Sequence, residues 1–258
     1  MTVDAGARRH PGERILWLWQ GQAAYLGTSF DLDTHSTPVQ CFVLGVDEPV
    51  TVRTSNGDRR GRSVLIPART THKLEADGRV LFYYLDPRSS AAARVRARMS
   101  EPPAPVAARH RDEAALIAHL NRSGPPDPLV LRRIIVGCEA PATIDERIRA
   151  VMDAIVDDPA GRAGAVELAA GLGISTSRFL HLFSADAGTS FRRFRLWARL
   201  LVVAGAVAEG VDLTRAAADA GFASPSHFSD TFRTLFGLTA TEVLARDMEI
   251  VVVADTFP

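Results

Sequence analysis

Lysine is almost missing from this 258-residue chain: Lys73 is the only one, so nearly all of the positive charge is arginine. A planar guanidinium pairs two-pronged with phosphate or guanine, which suits contact with a polyanion, and a plain composition bias explains the count equally well. Cysteine is nearly as scarce. Cys41, in a Val/Phe-rich run, and Cys138, in IIVGCEA, lie far apart in apolar surroundings, which favours two buried free thiols in a reducing compartment over a disulfide or a metal pair. Net charge is also lacking, with Lys+Arg and Asp+Glu at 30 each, so overall charge marks neither a nucleic-acid binder nor a disordered acidic protein. No apolar run reaches the roughly 18 residues of a membrane span, and MTVDAGARRHPGER lacks the apolar core of a signal peptide. The expectation is a cytoplasmic protein with no membrane partner. No nucleophile paired with a base, no phosphate loop and no CxxC appears.

What is present falls into two halves. From Arg14 to Asp86 run short β-type stretches, RILWLWQ, AAYLGTSF, VQCFVLGV, VTVRTS, SVLIPA, HKLEA and RVLFYYLD, with turn signals such as SNGD and ADG between them. Many short antiparallel strands imply a sandwich or barrel. After Pro87 the chain becomes rich in Ala, Arg and Glu, with apolar residues at helical spacing, interrupted by proline clusters at 102–105 and 125–128. The expected division is 1–87 for the β domain, 88–141 for a helical linker that also dimerises, and 142–258 for an all-helical domain. The run IVVV near the end fits either an accessory strand or a packed tail.

The helical half repeats itself. ELAAGLG at 167–173 matches RAAADAG at 215–221, after which Phe179 matches Phe228, Phe183 matches Phe232 and Gly188 matches Gly237. Ala169 with Gly173, and Ala217 with Gly221, are the small residue and the turn glycine of a helix-turn-helix, in units near 165–185 and 213–235. ISTS and ASPS supply serines to cap the next helix, and Pro225 suits a first helical turn. Phenylalanines four apart turn one face of each second helix inward. Ser177, Arg178 and His181 in the first copy, and Ser226, His227, Ser229, Asp230 and Arg233 in the second, are left to face base edges and phosphates. One such match is weak, because a helical repeat with solvated faces looks similar; two in tandem at one spacing are much stronger.

Residues from about Ala165 to Leu244, with the joining stretch FRRFRLWARLL and the signature DAGFASPSHFSDTFRTLFGLT, resemble the DNA-binding domain of AraC-family transcription regulators. The resemblance implies two reading helices held about one DNA turn, roughly 34 Å, apart. It also implies partners: double-stranded DNA, a small-molecule effector, RNA polymerase and a second copy of the chain. Where the family continues GxTP and a Tyr-Arg pair, this chain has GLTATEVL, with Ala240. Phosphate affinity is expected to concentrate in Arg178, Arg192, Arg193, Arg195 and Arg233.

Residues His35 to Asp86 resemble the cupin-like sensory domain common at the front of that family. GRSVLIPARTTH follows the second cupin motif, with Arg69 where glycine is expected. The fold class is therefore α+β: a cupin-like β-sandwich or barrel, a helical linker, and an all-α domain with two helix-turn-helix units. A metal enzyme would need more ligands than His35 and His72, so no catalytic residue, metal or cofactor is expected. Candidate effector-lining residues are His35, Gln40, Phe42, Arg53, His72 and Tyr84. Three readings compete: a ligand-controlled regulator, a constitutive one whose β domain is only a scaffold, and, remotely, a cupin enzyme with a DNA-binding tail. The first predicts that a fragment from about Ala142 onward binds DNA without effector control.

Overall fold

Strands β3 (Gln40–Gly45) and β8 (Arg79–Leu85) are apolar at nearly every position, and the structure explains why: the sheet they centre is covered on both faces. The computed structural model describes residues 14–29, 33–87, 89–102, 106–137, 144–187, 189–236, 239–241 and 248–253. Cys138, Gly188, Gly237 and the expected boundary at 142 lie outside the described residues. Around β3 and β8 an eight-stranded sheet is built from β1 (Ile15–Trp19), β2 (Gln22–Thr28), β6 (Ser63–Ile66), β9 (Met99–Glu101), β10 (Ala107–His110) and β11 (Glu249–Val252), in the order β11-β1-β2-β8-β3-β6-β10-β9. A three-stranded sheet, β5-β4-β7, is formed by β4 (Val50–Thr54), β5 (Gly57–Gly61) and β7 (His72–Glu75).

Period-two alternation sorts the two faces. Cys41, Val43, Phe82 and Tyr84 join Val50, Val52 and Leu74 of the small sheet in one core. Phe42, Leu44, Leu81, Tyr83 and Leu85 point the other way, onto helices α1 (Ser90–Ala97), α2 (Glu113–Leu120) and α3 (Pro128–Val136). This corrects the expectation of a linker at 88–141. The stretch supplies two strands of the large sheet and three helices on its back, and its prolines punctuate loops within that unit. Pro128 opens α3, with Asp127 accepting from the amides of Leu129 and Val130. Leu116 and Leu120 of α2 are spent on this core and offer no dimer face.

The second half follows with α4 (Glu146–Asp157), α5 (Ala165–Gly171), α6 (Thr176–Asp186), α7 (Phe191–Ala208), α8 (Leu213–Asp219) and α9 (Pro225–Phe236). Its two helix-turn-helix units do not share one core. The first, α5 and α6, packs with α4 and the front of α7 around Ile148, Met152, Phe179, Phe183, Phe191 and Phe194. The second, α8 and α9 with the rest of α7, places Trp197, Leu200, Val203, Phe228 and Phe236 in the same cluster as the β-domain interior. The tail strengthens that junction, since β11 pairs in parallel with β1, Ile15 opposite Glu249 through Leu18 opposite Val252. A shallow apolar groove remains along the seam, lined by Leu16, Leu18, Val203, Val207, Phe232 and Ile250 among others.

Candidate nucleic-acid interface

Both turns close with the same hydrogen bonds. The amide of Ile174 donates to the Ala169 carbonyl (3.1 Å) and that of Phe222 to the Ala217 carbonyl (3.0 Å), with Gly173 and Gly221 in the left-handed region at φ +67° and +82°. At Gly221 a Cβ would come within 2.9 Å of the Ala160 backbone, so the glycine is needed for space as well as for conformation. The serines act as expected: Ser175 Oγ accepts from the Arg178 amide and Ser224 Oγ from the His227 amide.

These turns set two polar faces outward. Ser177, Arg178 and His181 on α6 are exposed, as are Ser226, His227, Ser229, Asp230 and Arg233 on α9. His227 is fixed rather than free. Its Nδ1 accepts from the Ala223 amide at 3.4 Å and its ring meets the Phe222 edge, which leaves Nε2 for an outside partner. The α6 face also exposes Leu180 and Ser184, which are not among the contacts expected from the sequence.

The arginines of α7 divide. Arg192 is exposed, at a cleft that it lines with Arg193, Leu196, Asp230, Thr231 and Thr234. Arg193 and Arg195, also expected to contact phosphate, have partners within the protein. Arg193 Nη1 lies 3.3 Å from Asp86 Oδ1, a carboxylate 1% exposed that also accepts from the Thr189 hydroxyl. Arg195 donates to the Ala163 carbonyl at 2.6 Å and covers the Phe191 ring, and its burial, with Arg199 close by, lowers its pKa from the ordinary value. The signal was in the spacing: Arg193 stands four residues before the buried Trp197 and shares its inward side.

In the β domain, His35 and His72 face each other across a backbone bridge, their rings 4.7 Å apart. They line a narrow cavity with Thr37, Cys41, Ile66, Leu74, Phe82 and Tyr84. Each histidine Nδ1 lies against a backbone carbonyl, that of Asp33 at 2.9 Å and that of Thr70 at 2.8 Å. A carbonyl oxygen can only accept, so both Nδ1 atoms carry the proton, and a neutral ring then presents its Nε2 lone pair. Burial first, and then the nearby His35, hold the His72 pKa below the usual histidine value. Burial likewise pushes the Cys41 thiol and the Tyr84 phenol up. Arg69, standing where the cupin pattern has glycine, takes φ +63° and donates its amide to the Thr37 carbonyl at 2.7 Å, the conformation that glycine adopts without strain.

Three candidates lie elsewhere. Gln40 donates to the Ala92 carbonyl and Phe42 packs on His110, both on the helix-covered face, because they sit one residue out of phase with Cys41. Arg53 is on the outer surface, held by Glu75 and Asp58. Among the described residues, no group of three or more His, Cys, Asp or Glu side chains is placed to hold a metal, and no helix is long and apolar enough to cross a membrane. Tyr84 does something the sequence did not announce: its ring meets Phe236, at the end of α9, edge-on at 5.4 Å.

A helix-turn-helix domain family matches residues 168–246. No curated protein matches the chain. Similar solved structures include ToxT from Vibrio cholerae, at 14% identity over 87% of this chain and 97% of that one, with a TM-score of 0.46. The C-terminal domain of the response regulator AraT from Geobacillus stearothermophilus is similar at 14% identity, over 45% of this chain and 95% of that one, with a TM-score of 0.38. A DNA-binding transcriptional dual regulator from Escherichia coli K-12 reaches 23% identity over 42% of this chain and 96% of that one, with a TM-score of 0.35. With two serine-capped helices on a tandem repeat at the matched residues, the chain carries a helix-turn-helix domain over 168–246.

Proposed function

We propose that this DNA-binding regulator reads two successive major grooves, one with α6 and one with α9, and that its β domain is a sensor and not an enzyme. The observation that carries the first part is the repeated turn geometry, which sets two polar helix faces outward from separately packed units. Selection from random duplexes should return sites protected at two positions about one turn apart. On such a site, Arg233→Ala should weaken binding to all sequences alike and lower the salt slope by about one, as the loss of a phosphate contact does. A mutant that instead changed the preferred bases, with an unaltered slope, would assign Arg233 to base reading. A homodimer would strengthen binding by doubling the sites engaged.

The cavity supports the sensor reading. With Nδ1 of each ring set against a carbonyl, the Nε2 atoms of His35 and His72 can accept a hydrogen bond from a small, uncharged donor, and among the described residues no arginine or lysine lines the space. With its walls in place the cavity has room for little more than a water molecule, so an effector must displace a wall. The Tyr84 wall leans on Phe236, so its displacement disturbs the seat of α9. Screening small amides and alcohols by thermal shift should find compounds that stabilise the wild type and alter its DNA affinity, with no effect on a His72→Phe variant whose cavity is filled. Compounds that stabilise both proteins equally would point to another site, and the scaffold reading of the β domain would then be preferred.

A further inference from the structure

Leu180 is 39% exposed, and among the described residues it is the only large apolar side chain exposed on either reading helix. A lone exposed leucine elsewhere on a protein needs no explanation. This one has a particular setting. At about 100° per residue, Ser177, His181 and Ser184 fall at the centre of the outward face of α6, with Leu180 on one shoulder and Arg178 on the other. Phe179 and Phe183 occupy the opposite side and are fully buried, so the helix cannot roll to hide Leu180 without exposing them. This is also one of the outward positions at which the two copies differ in chemistry. Counting from the matched Phe179 and Phe228, Leu180 corresponds to Ser229, a polar residue in the same outward place.

We propose that Leu180 determines specificity at the groove read by α6 by packing against the C5-methyl group of a thymine, while Ser229 gives α9 no such preference. The inference rests on α6 being a DNA-reading helix. The chemistry follows from the groove: thymine alone among the bases places a methyl group in the major groove, and an aliphatic side chain there meets an apolar partner in place of water. Ser177 and His181 beside it make the polar contacts, so the leucine adds selection for thymine within an interface that already has donors and acceptors.

Deoxyuridine differs from thymidine only by that methyl group, which makes the test direct. Using the full chain and a duplex it has selected, each thymine is replaced singly by deoxyuridine, and affinity is measured for the wild type, Leu180→Ala and Leu180→Met. The wild type should lose about fourfold at one or two positions in the α6 half-site, the factor expected for one buried methyl group. Leu180→Ala should bind the thymine duplex correspondingly less well and be indifferent to the replacement at those positions. Leu180→Met, which keeps the apolar reach, should stay sensitive. Leu180→Ala remaining as sensitive as the wild type, or a wild type indifferent throughout the α6 half-site, overturns the proposal. Failure of the wild type to select any duplex overturns the DNA-reading role of α6 itself, and is a separate outcome.

Discussion

Expressed alone, residues 144–258 should keep the first helix-turn-helix unit folded and lose the second. The first unit carries its own aromatic core, with Phe179, Phe183, Phe191 and Phe194 packed edge to face. The second borrows from the β domain. Trp197, Leu200, Val203 and Phe236 are buried in a cluster that continues into Leu18, Tyr25 and Tyr84, and β11 loses its partner β1 when the front half is removed. A fully buried large side chain contributes roughly 1.5–3 kcal/mol, so exposing four of them costs on the order of 6–12 kcal/mol, comparable with the 5–15 kcal/mol that stabilises a whole domain. Trp197 and Phe236 still touch each other in the fragment, and even half of that cost is large. Hydrogen exchange should therefore show protection in α4 to α6 and the front of α7, with α8 and α9 exchanging freely. Footprinting should show one protected groove where the full chain protects two. Two protected grooves at wild-type affinity would restore the simpler expectation, of a DNA-binding fragment freed from control.

That simpler expectation shows where the sequence stops being informative. The repeat could be read at a distance because its signals are local: an alanine, a glycine four later, a capping serine and phenylalanines four apart are each set within one turn of chain. The strands could be read for the same reason, from Leu16 to Leu85, except β5, whose residues GDRRG show no apolar alternation and pair with β4 only because the Ser55-Asn56 turn folds them back. What could not be read was long-range. The Val251 run looks the same whether it packs as a tail or pairs with Trp17 some 230 residues earlier. Nothing in LIPARTTH announces that His72 will meet His35, and Gln40 and Phe42 look like cavity residues in the sequence because phase within a strand is readable while the face it serves is not. When both faces of a sheet are buried, the apolar pattern no longer says which is which. Arg193 failed for the opposite reason. A charge on a helix next to a DNA-reading unit suggests phosphate; the spacing to Trp197 marks the side Arg193 takes, and the fold places Asp86 there.

Two adjacent arginines should accordingly behave in opposite ways. Arg192→Ala should change folding stability by less than about 0.5 kcal/mol, as an exposed substitution does, and lower the salt slope of DNA binding by about one. Arg193→Ala should leave that slope unchanged and cost stability instead. Its guanidinium faces Asp86, which follows directly on β8 and is buried where the sheet meets the start of α7; Thr189 donates its hydroxyl to the same carboxylate, and Gln20 donates to the Phe194 carbonyl at 2.6 Å beside it. Removing Arg193 takes a charge-assisted contact from a carboxylate that is 1% exposed, a loss on the order of 1.5–3 kcal/mol. Denaturant midpoints measure the first quantity and salt titrations of operator affinity the second. Asp86→Ala should also cost stability, because Arg193 and Thr189 both lose the carboxylate they contact. The double replacement should cost clearly less than the two single losses added together, since neither charge is left behind. If Arg193→Ala folds as well as the wild type and flattens the salt dependence as Arg192→Ala does, the guanidinium belongs to DNA and the Asp86 contact does not fasten the two halves.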